Sequence, residues 1–227
     1  MDVYLIYIFD DDASKENISI KGEMFKYLVK VRRHSVGDRL NLRCKNDAKV
    51  LYTYEISNVD ARSLDLRLLS SAIDEVAGKK SLHIGWCVID VKSVEKVLPS
   101  LNEIGVSKIS FIFCDRSQKN FKLDFKRLER ILEASMQQCG RSSFMEFDTY
   151  KNIKEFLSDF PQTKIFDFCD TILENGSEFE TVLIGCEGGF SKNERELLRE
   201  KDVFRLDTPM VLRSESAVVA VASKILL

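Results

Sequence analysis

Three short stretches carry residue types that could do chemistry. The first is Thr181-Val182-Leu183-Ile184-Gly185-Cys186-Glu187-Gly188-Gly189-Phe190-Ser191-Lys192-Asn193-Glu194. An apolar run enters a glycine-rich turn, and Ser191 followed three residues later by Glu194 has the spacing of a helix capping box. Paired glycines let backbone come close to a ligand at the carboxyl end of a strand, the ligand side of an open α/β sheet. An ordinary strand-to-helix turn has the same pattern. The second stretch is Leu206-Asp207-Thr208-Pro209-Met210-Val211-Leu212-Arg213-Ser214-Glu215-Ser216-Ala217, followed by the apolar Val218 to Leu227. Arg213 and Glu215 stand at the mouth of a segment that reads as a buried helix, so they must pair with each other or with a ligand. The third is Glu133-Ala134-Ser135-Met136-Gln137-Gln138-Cys139-Gly140-Arg141. Gln138 and Arg141 share a face at a helix end that Gly140 terminates. An amide beside a guanidinium suits a nucleobase or a phosphate; on spacing alone, a solvated helix end is the plainer reading.

Other chemistries are excluded. Gly78-Lys79-Lys80-Ser81 departs from a phosphate loop, with Lys80 in the Ser/Thr position and Ile73 in place of the first glycine. No G-x-G-x-x-G follows a strand, and no G-x-S-x-G elbow occurs. The six cysteines form no C-x-x-C pair and the only histidines are His34 and His83, so no metal site is expected. Most thiols sit in apolar runs such as Ile112-Phe113-Cys114, where cysteine packs as a small hydrophobe.

The elements that must position these residues come in two sets within 227 residues, 44% hydrophobic and 31% charged. Up to Leu69 the runs are strand-like: Val3 to Phe9, Arg39 to Leu42, Val50 to Ile56, and Ser63 to Leu69, with one helical stretch from Gly22 to Lys30. This predicts a small β-barrel-like domain over residues 1–70. A polar linker follows over 71–80. From 81 to 227 apolar strand runs (from Leu82, Ile109, Phe144, Lys164, Thr181 and Val203) alternate with helical stretches (from Ser93, Asp124, Asn152, Lys192 and Ser216). That alternation predicts an α/β domain with a mostly parallel sheet.

Lys+Arg 34 against Asp+Glu 36 gives a net charge of −2, which announces no nucleic-acid binder. Locally the picture differs: nine Lys/Arg and three acids between Lys21 and Lys49 give +6. Lys26, Lys30, Arg32 and Arg33, beside Tyr27 and His34, suit phosphate binding through counterion release. A solvated basic face is an equal reading. No apolar run reaches the roughly 18 residues that span a bilayer. Met1-Asp2-Val3-Tyr4 lacks the order of a signal peptide, so the expectation is a cytoplasmic protein without a membrane partner.

Together the motifs resemble the ribosomal RNA small subunit methyltransferase E family. Gly185 to Ser191 resembles its G-P-E-G-G-hydrophobic-S loop, Val211 to Ala217 its I-L-R-T-E-T-A loop, and Gln138 to Arg141 its Q-[SC]-x-R helix end. Asn102-Glu103-Ile104-Gly105-Val106, Tyr27 to Arg32 and Val36-Gly37-Asp38 fit further family patterns along the chain. The resemblance implies a PUA-like RNA-binding domain, then a SPOUT-type α/β trefoil-knot domain, acting as a homodimer. The implied reaction is methylation of uridine N3 in 16S ribosomal RNA with S-adenosylmethionine as cofactor.

In that family the cofactor sits bent between three loops. The implied binding residues are Phe168, Cys169, Leu183, Ile184, Gly185, Glu187, Gly188, Gly189, Phe190, Leu206, Val211, Leu212, Ser214, Ser216 and Ala217. Leu183, Leu206 and Leu212 are expected against the adenine. Arg213 is assigned to stabilise charge on the uracil oxygens, and Glu215 to take the proton or orient Arg213. Arg116, Gln138 and Arg141 are expected to hold the nucleotide, with the target base out of its stack. The chain departs from the family pattern at Cys186 (usually Pro), Ser214 and Ser216 (Thr) and Gln137 (Glu), and it lacks the near-N-terminal Arg, Tyr4 lying in that region. Competing expectations are a SPOUT enzyme with another RNA target and a non-catalytic RNA-binding protein on the same fold.

Overall fold

The structure is a computed structural model that describes residues 6–118 and 121–227. It divides into two compact units: one ends at Ala77 and takes in Met136–Ser143, the other covers Gly78–Ser135 and Phe144–Leu227. Residues 3–5 of the expected first strand, with Tyr4, lie outside the described residues.

The first unit is built on strands β1 (Ile8–Phe9), β2 (Asn17–Lys21), β3 (Arg39–Cys44), β4 (Asp47–Val59) and β5 (Ser63–Ile73). Helix α1 (Gly22–Phe25) continues into a wide π turn over Lys26–Val31. The sheet order is β1-β3-β4-β5-β2, with β1 parallel to β3 and the other pairs antiparallel. The barrel-like expectation takes the form of a mixed half-barrel with β1 and β2 as its edges. Alternation does what the sequence predicts on β5: Leu64 and Leu66 are buried while Arg67 is exposed. They close a core with Leu42, Tyr54 and Ile56, capped by Phe25 and Leu28.

Three details differ from expectation. β2 is a strand that the sequence reading did not single out. Ser71, Ala72 and Ile73, read as the start of the linker, are strand residues paired with Tyr52, Leu51 and Val50. Arg43, counted among the clustered cations, is buried at 0% exposure. Its guanidinium donates to the carbonyls of Ala48 (2.7 Å) and Asp74 (2.8 Å) and to Asp74 Oδ2 (2.6 Å). It staples the sheet and offers nothing to a phosphate.

The second unit is the expected α/β layer structure. Its strands are β6 (His83–Cys87), β7 (Lys108–Ile112), β8 (Glu146–Tyr150), β9 (Lys164–Phe166), β10 (Thr181–Ile184) and β11 (Val203–Phe204). Its helices are α2 (Val91–Ile104), α3 (Phe125–Cys139, of which the part from Met136 belongs to the first unit), α4 (Ile153–Asp159), α5 (Lys192–Leu197) and α6 (Ser214–Leu226). All five strand pairings, in the order β11-β9-β10-β6-β7-β8, are parallel. Such strands are buried on both faces, and every residue of β6 is buried. Gly85 in β6 has no room for a side chain, because a Cβ there would lie 2.5 Å from Phe156 Cζ of α4. Among the described residues no helix is long and apolar enough to cross a membrane.

The lower end of β6 carries a titrating group. His83 is 8% exposed, with Nε2 2.8 Å from Ser110 Oγ and the rings of Phe156 and Phe160 edge-on. Burial first, then Lys108, push its pKa from 6.5 down to about 4. The unfolded chain therefore takes up this proton first. The contribution is intact above about pH 6.5 and is lost as pH falls towards about 4, by up to ~3 kcal/mol. His83→Gln keeps a hydrogen-bonding partner for Ser110 and cannot titrate. Urea midpoints measured at pH 7.5 and 4.5 should differ less in that variant than in the native chain; equal differences would clear His83 of the effect.

Candidate functional site

In the second unit, the carboxyl ends of β9, β10 and β11 open into a cleft of about 230 Å³. Three segments border it: Phe166–Phe168 after β9, Ile184–Phe190 after β10, and residues of Arg205–Ala217 between β11 and α6. The two motif loops, about twenty residues apart in sequence, thus share one wall-to-wall space.

Local chemistry explains why the first loop turns where it does. Gly189 N–H donates to Cys186 C=O at 2.8 Å, and Gly189 takes φ +64°, a conformation costly for other residues. The capping box is present: Ser191 Oγ accepts from Glu194 N–H, and Glu194 Oε2 accepts from Ser191 N–H. Buried Glu194 also accepts from Asp115 N–H through Oε1 (2.8 Å), which ties the loop to the segment after β7. Arg116 adds a second tie, donating to Gly188 C=O at 2.5 Å, with its aliphatic stem 3.2 Å from where a Gly188 Cβ would stand.

The second loop is held by one hydroxyl. Ser214 Oγ donates to Gly185 C=O (2.6 Å) and accepts from Trp86 Nε1–H (2.8 Å). It therefore fastens the start of α6 to both the glycine loop and the buried centre of β6. Arg213, just before it, is 81% exposed at its side chain; Nη1 lies 3.9 Å from Glu215 Oε1. Glu215 is largely buried, and its Oε2 has no hydrogen-bond partner among the described residues.

Most of the expected cofactor residues meet at this cleft: Phe168, Ile184, Gly185, Glu187, Gly188, Gly189, Phe190, Leu206, Val211, Leu212, Ser214 and Ala217 border it. Three do not. Leu183 is wholly buried in the sheet core, because side chains alternate along β10 and Ile184 takes the cleft side. Cys169 turns its thiol to the carbonyls of Thr171 and Val203. Ser216 is exposed and away from the cleft. The sequence reading missed Asp167 and Arg195, which pair at 2.7 Å on the cleft border, and Arg205 beside them. Arg195 stands four residues after the cap Ser191, so the helical repeat was an available signal.

In the first unit a separate cleft of about 560 Å³ is bordered by Tyr27, Arg32, Arg33, His34 and Arg39, among others. Lys30 and Arg33 are exposed. Lys26 is paired with Glu23 at 2.6 Å, and Arg32 lies over the Tyr27 ring and donates to its hydroxyl. The helix end is less open than its spacing suggests. Gln138 is exposed, but Arg141 is only 6% exposed, with Nε donating to Ser143 Oγ and its carbonyl accepting from Tyr7. The two residues do not form one exposed face, because Gly140 at φ +87° ends the helix and turns the chain. Gln137 Oε1 accepts from Phe9 N–H, a role a glutamate oxygen fills equally. Among the described residues no group of three or more His, Cys, Asp or Glu is arranged to hold a metal ion.

A parallel α/β sheet with a glycine-lined cleft at its carboxyl ends defines a ligand-binding α/β enzyme class, and residues 77–226 match the family model of an RNA methyltransferase domain. A ribosomal RNA small subunit methyltransferase E from Helicobacter pylori is 40% identical over 96% of this chain and 97% of its own length. The fold superposes on a Neisseria gonorrhoeae ribosomal RNA small subunit methyltransferase E bound to S-adenosylmethionine (TM-score 0.76, 15% identity, 97% of this chain and 96% of that one). It also matches a Legionella pneumophila protein solved with the cofactor SAM (TM-score 0.74, 22% identity, 98% and 97%). The chain belongs to the ribosomal RNA small subunit methyltransferase E family.

Removing the Ser214 hydroxyl would leave the Trp86 N–H and the Gly185 carbonyl without their partner. Ser214→Ala should therefore cost about 1–3 kcal/mol, seen as a fall in thermal midpoint of several degrees. Ser216→Ala, at an exposed position, should be nearly neutral in the same scan. Equal midpoints for the two variants would dismiss the hydroxyl as the fastening.

Proposed function

We propose that this family member transfers a methyl group from S-adenosylmethionine to N3 of a uridine in the 16S ribosomal RNA of the small subunit. The observation that carries the reading is the single cleft shared by the glycine loop and the loop that ends in Arg213 and Ser214. The residues present suit such a donor. Phe190, Leu206, Val211 and Leu212 offer apolar contact, and Gly185, Gly188 and Gly189 bring backbone to the cleft border without side chains of their own. When bound, the donor supplies an electrophilic methyl carbon on a sulfonium.

Uridine N3 carries a proton that must leave before or during attack, and negative charge then develops on the flanking carbonyl oxygens. Arg213, exposed and 3.9 Å from Glu215 Oε1, has the reach to stabilise that charge. Glu215 orients Arg213 or receives the proton through Oε2, which has no hydrogen-bond partner among the described residues. Arg116 keeps the glycine loop in place and presents an exposed cation beside it. Residues 1–70 serve as the PUA-like RNA-binding domain, with Lys30, Arg33 and the cleft around Tyr27 as the phosphate-facing part. The threaded C-terminal crossing, the homodimer and a cytoplasmic place of action complete the proposal. The exposed apolar side chains of Phe168, Met210 and Val211 beside the cleft favour a second copy there.

Arg213→Ala should abolish methyl transfer to 16S RNA while leaving donor affinity within about tenfold. Mass spectrometry of 16S RNA fragments from cells with and without the protein locates the modified nucleotide. Unchanged turnover in the variant would remove Arg213 from the reaction, and a methyl group on another RNA would replace the substrate.

A further inference from the structure

Three neighbouring strands, β10, β6 and β7, carry a cysteine at or just past their carboxyl ends: Cys87 is the last residue of β6, and Cys186 and Cys114 each stand two residues beyond β10 and β7. Adjacent parallel strands bring their carboxyl ends to one edge, so thiols distant in sequence gather behind the cleft. Cys114 and Cys186 have their sulfurs 3.5 Å apart. Cys186 borders the cleft, in the loop position where the family pattern has proline. Cys114 is partly exposed, and its Sγ also lies 3.1 Å from Ser117 Oγ. The two backbones are already held together by Arg116 on Gly188 C=O and by Asp115 N–H on Glu194. A disulfide of about 2.05 Å would need its sulfurs to close by only about 1.5 Å.

We propose that Cys114 and Cys186 are a reversible dithiol–disulfide pair that ties the Gly185–Phe190 loop to the segment after β7 and thereby controls the cleft. The control of donor binding rests on the function proposed above; the cross-link and its effect on the loop do not. A peroxide serves as oxidant. The Cys114 thiolate attacks one peroxide oxygen, giving a sulfenic acid and releasing hydroxide. The Cys186 sulfur then bonds to the Cys114 sulfur and displaces its oxygen, which leaves with the Cys186 proton as water, while the released hydroxide takes up the proton that Cys114 had shed. Two thiols and one hydrogen peroxide become one disulfide and two waters, and an external thiol reverses the step.

The roles of the two thiols follow from their surroundings. Hydrogen bonds from Cys186, then Cys87, and from Ser117 and the Arg116 backbone hold the Cys114 thiol well below its usual range, against the opposing effect of burial. Cys186 is pushed up by the same contact with Cys114 and by burial, so it is the resolving partner. Cys87 is wholly buried, and burial raises it; it takes no part.

The test treats the full-length protein with hydrogen peroxide, blocks remaining thiols by alkylation, and maps peptides by mass spectrometry. The expected map links Cys114 to Cys186 and leaves Cys87 out of the bridge. Hydrogen exchange at 185–190 should slow in the oxidised sample. Affinity for S-adenosylmethionine, by calorimetry, should fall by about tenfold or more and recover with dithiothreitol. Cys114→Ser, compared with its own reduced sample, should lose all three responses, and Cys114→Ala serves the same purpose if the serine variant does not fold. Two alkylated thiols with no bridge, a bridge that changes neither exchange nor affinity, or a Cys114 variant that responds like the native chain would each overturn the proposal. A reduced protein that binds no donor would count against the donor reading instead, while the map and the exchange rates still decide the thiol pair.

Discussion

The hydroxyl of Ser214 joins parts of the chain that sequence keeps far apart. It opens helix α6, accepts from an indole in the middle strand of the sheet, and donates to the carbonyl that ends the glycine loop's parent strand. Each partner is a polar group that burial would otherwise leave without water, so the cost of losing the hydroxyl exceeds the value of either bond alone. The cleft is bordered by the two loops this oxygen fastens. Its shape therefore depends on the oxygen more than on any one apolar contact. Serine keeps the hydroxyl that the threonine of the family pattern carries at this position.

Much of the second unit was legible in the sequence because parallel strands buried on both faces leave continuous apolar runs, and the runs fell between helical repeats. The capping box at Ser191 and Glu194 was equally plain, since it depends on residues three apart. What the sequence concealed depends on partners at long range. Arg43 looks like any other lysine or arginine in a basic stretch until Asp74, thirty-one residues on, accepts its guanidinium. Arg141 reads as part of an exposed pair until the glycine before it turns the chain inward. Ser71 to Ile73 read as linker because small polar and exposed residues carry no alternation, yet they pair with β4 through backbone alone. Of Leu183 and Ile184, the pleat of β10 turns only the Ile184 side chain to the cleft.

The same distinction reduces what local charge can say. A net +6 between Lys21 and Lys49 suggests a phosphate-binding face. Within it Arg43 is a structural staple, Lys26 pairs with Glu23, Lys49 pairs with Glu75, and Arg32 lies on Tyr27. Exposed pairs of this kind are weak and open readily to a competing anion, so Lys26 and Lys49 remain available to an anion at small cost. Arg43 does not, because taking it away from Asp74 would strand a charge in the core of the first unit. Counting cations overstates the binding face by the ones the fold has already used.

Arg213 and Glu215 illustrate how a site balances order against availability. A guanidinium locked on a carboxylate by two short bonds is well placed but committed, and a reaction that needs its charge elsewhere must first break those bonds. Here the approach is 3.9 Å, beyond hydrogen-bond reach, and one buried carboxylate oxygen has no partner among the described residues. The carboxylate is fixed because it sits in the first turn of α6, anchored by Ser214 next to it; the arginine, outside the helix and largely in solvent, is not. Charge developing on a neighbouring base can therefore draw Arg213 without a competing bond to undo, while Glu215 limits how far the guanidinium strays. The buried member of the pair is the one the fold anchors, and the exposed member is the one the proposed reaction needs.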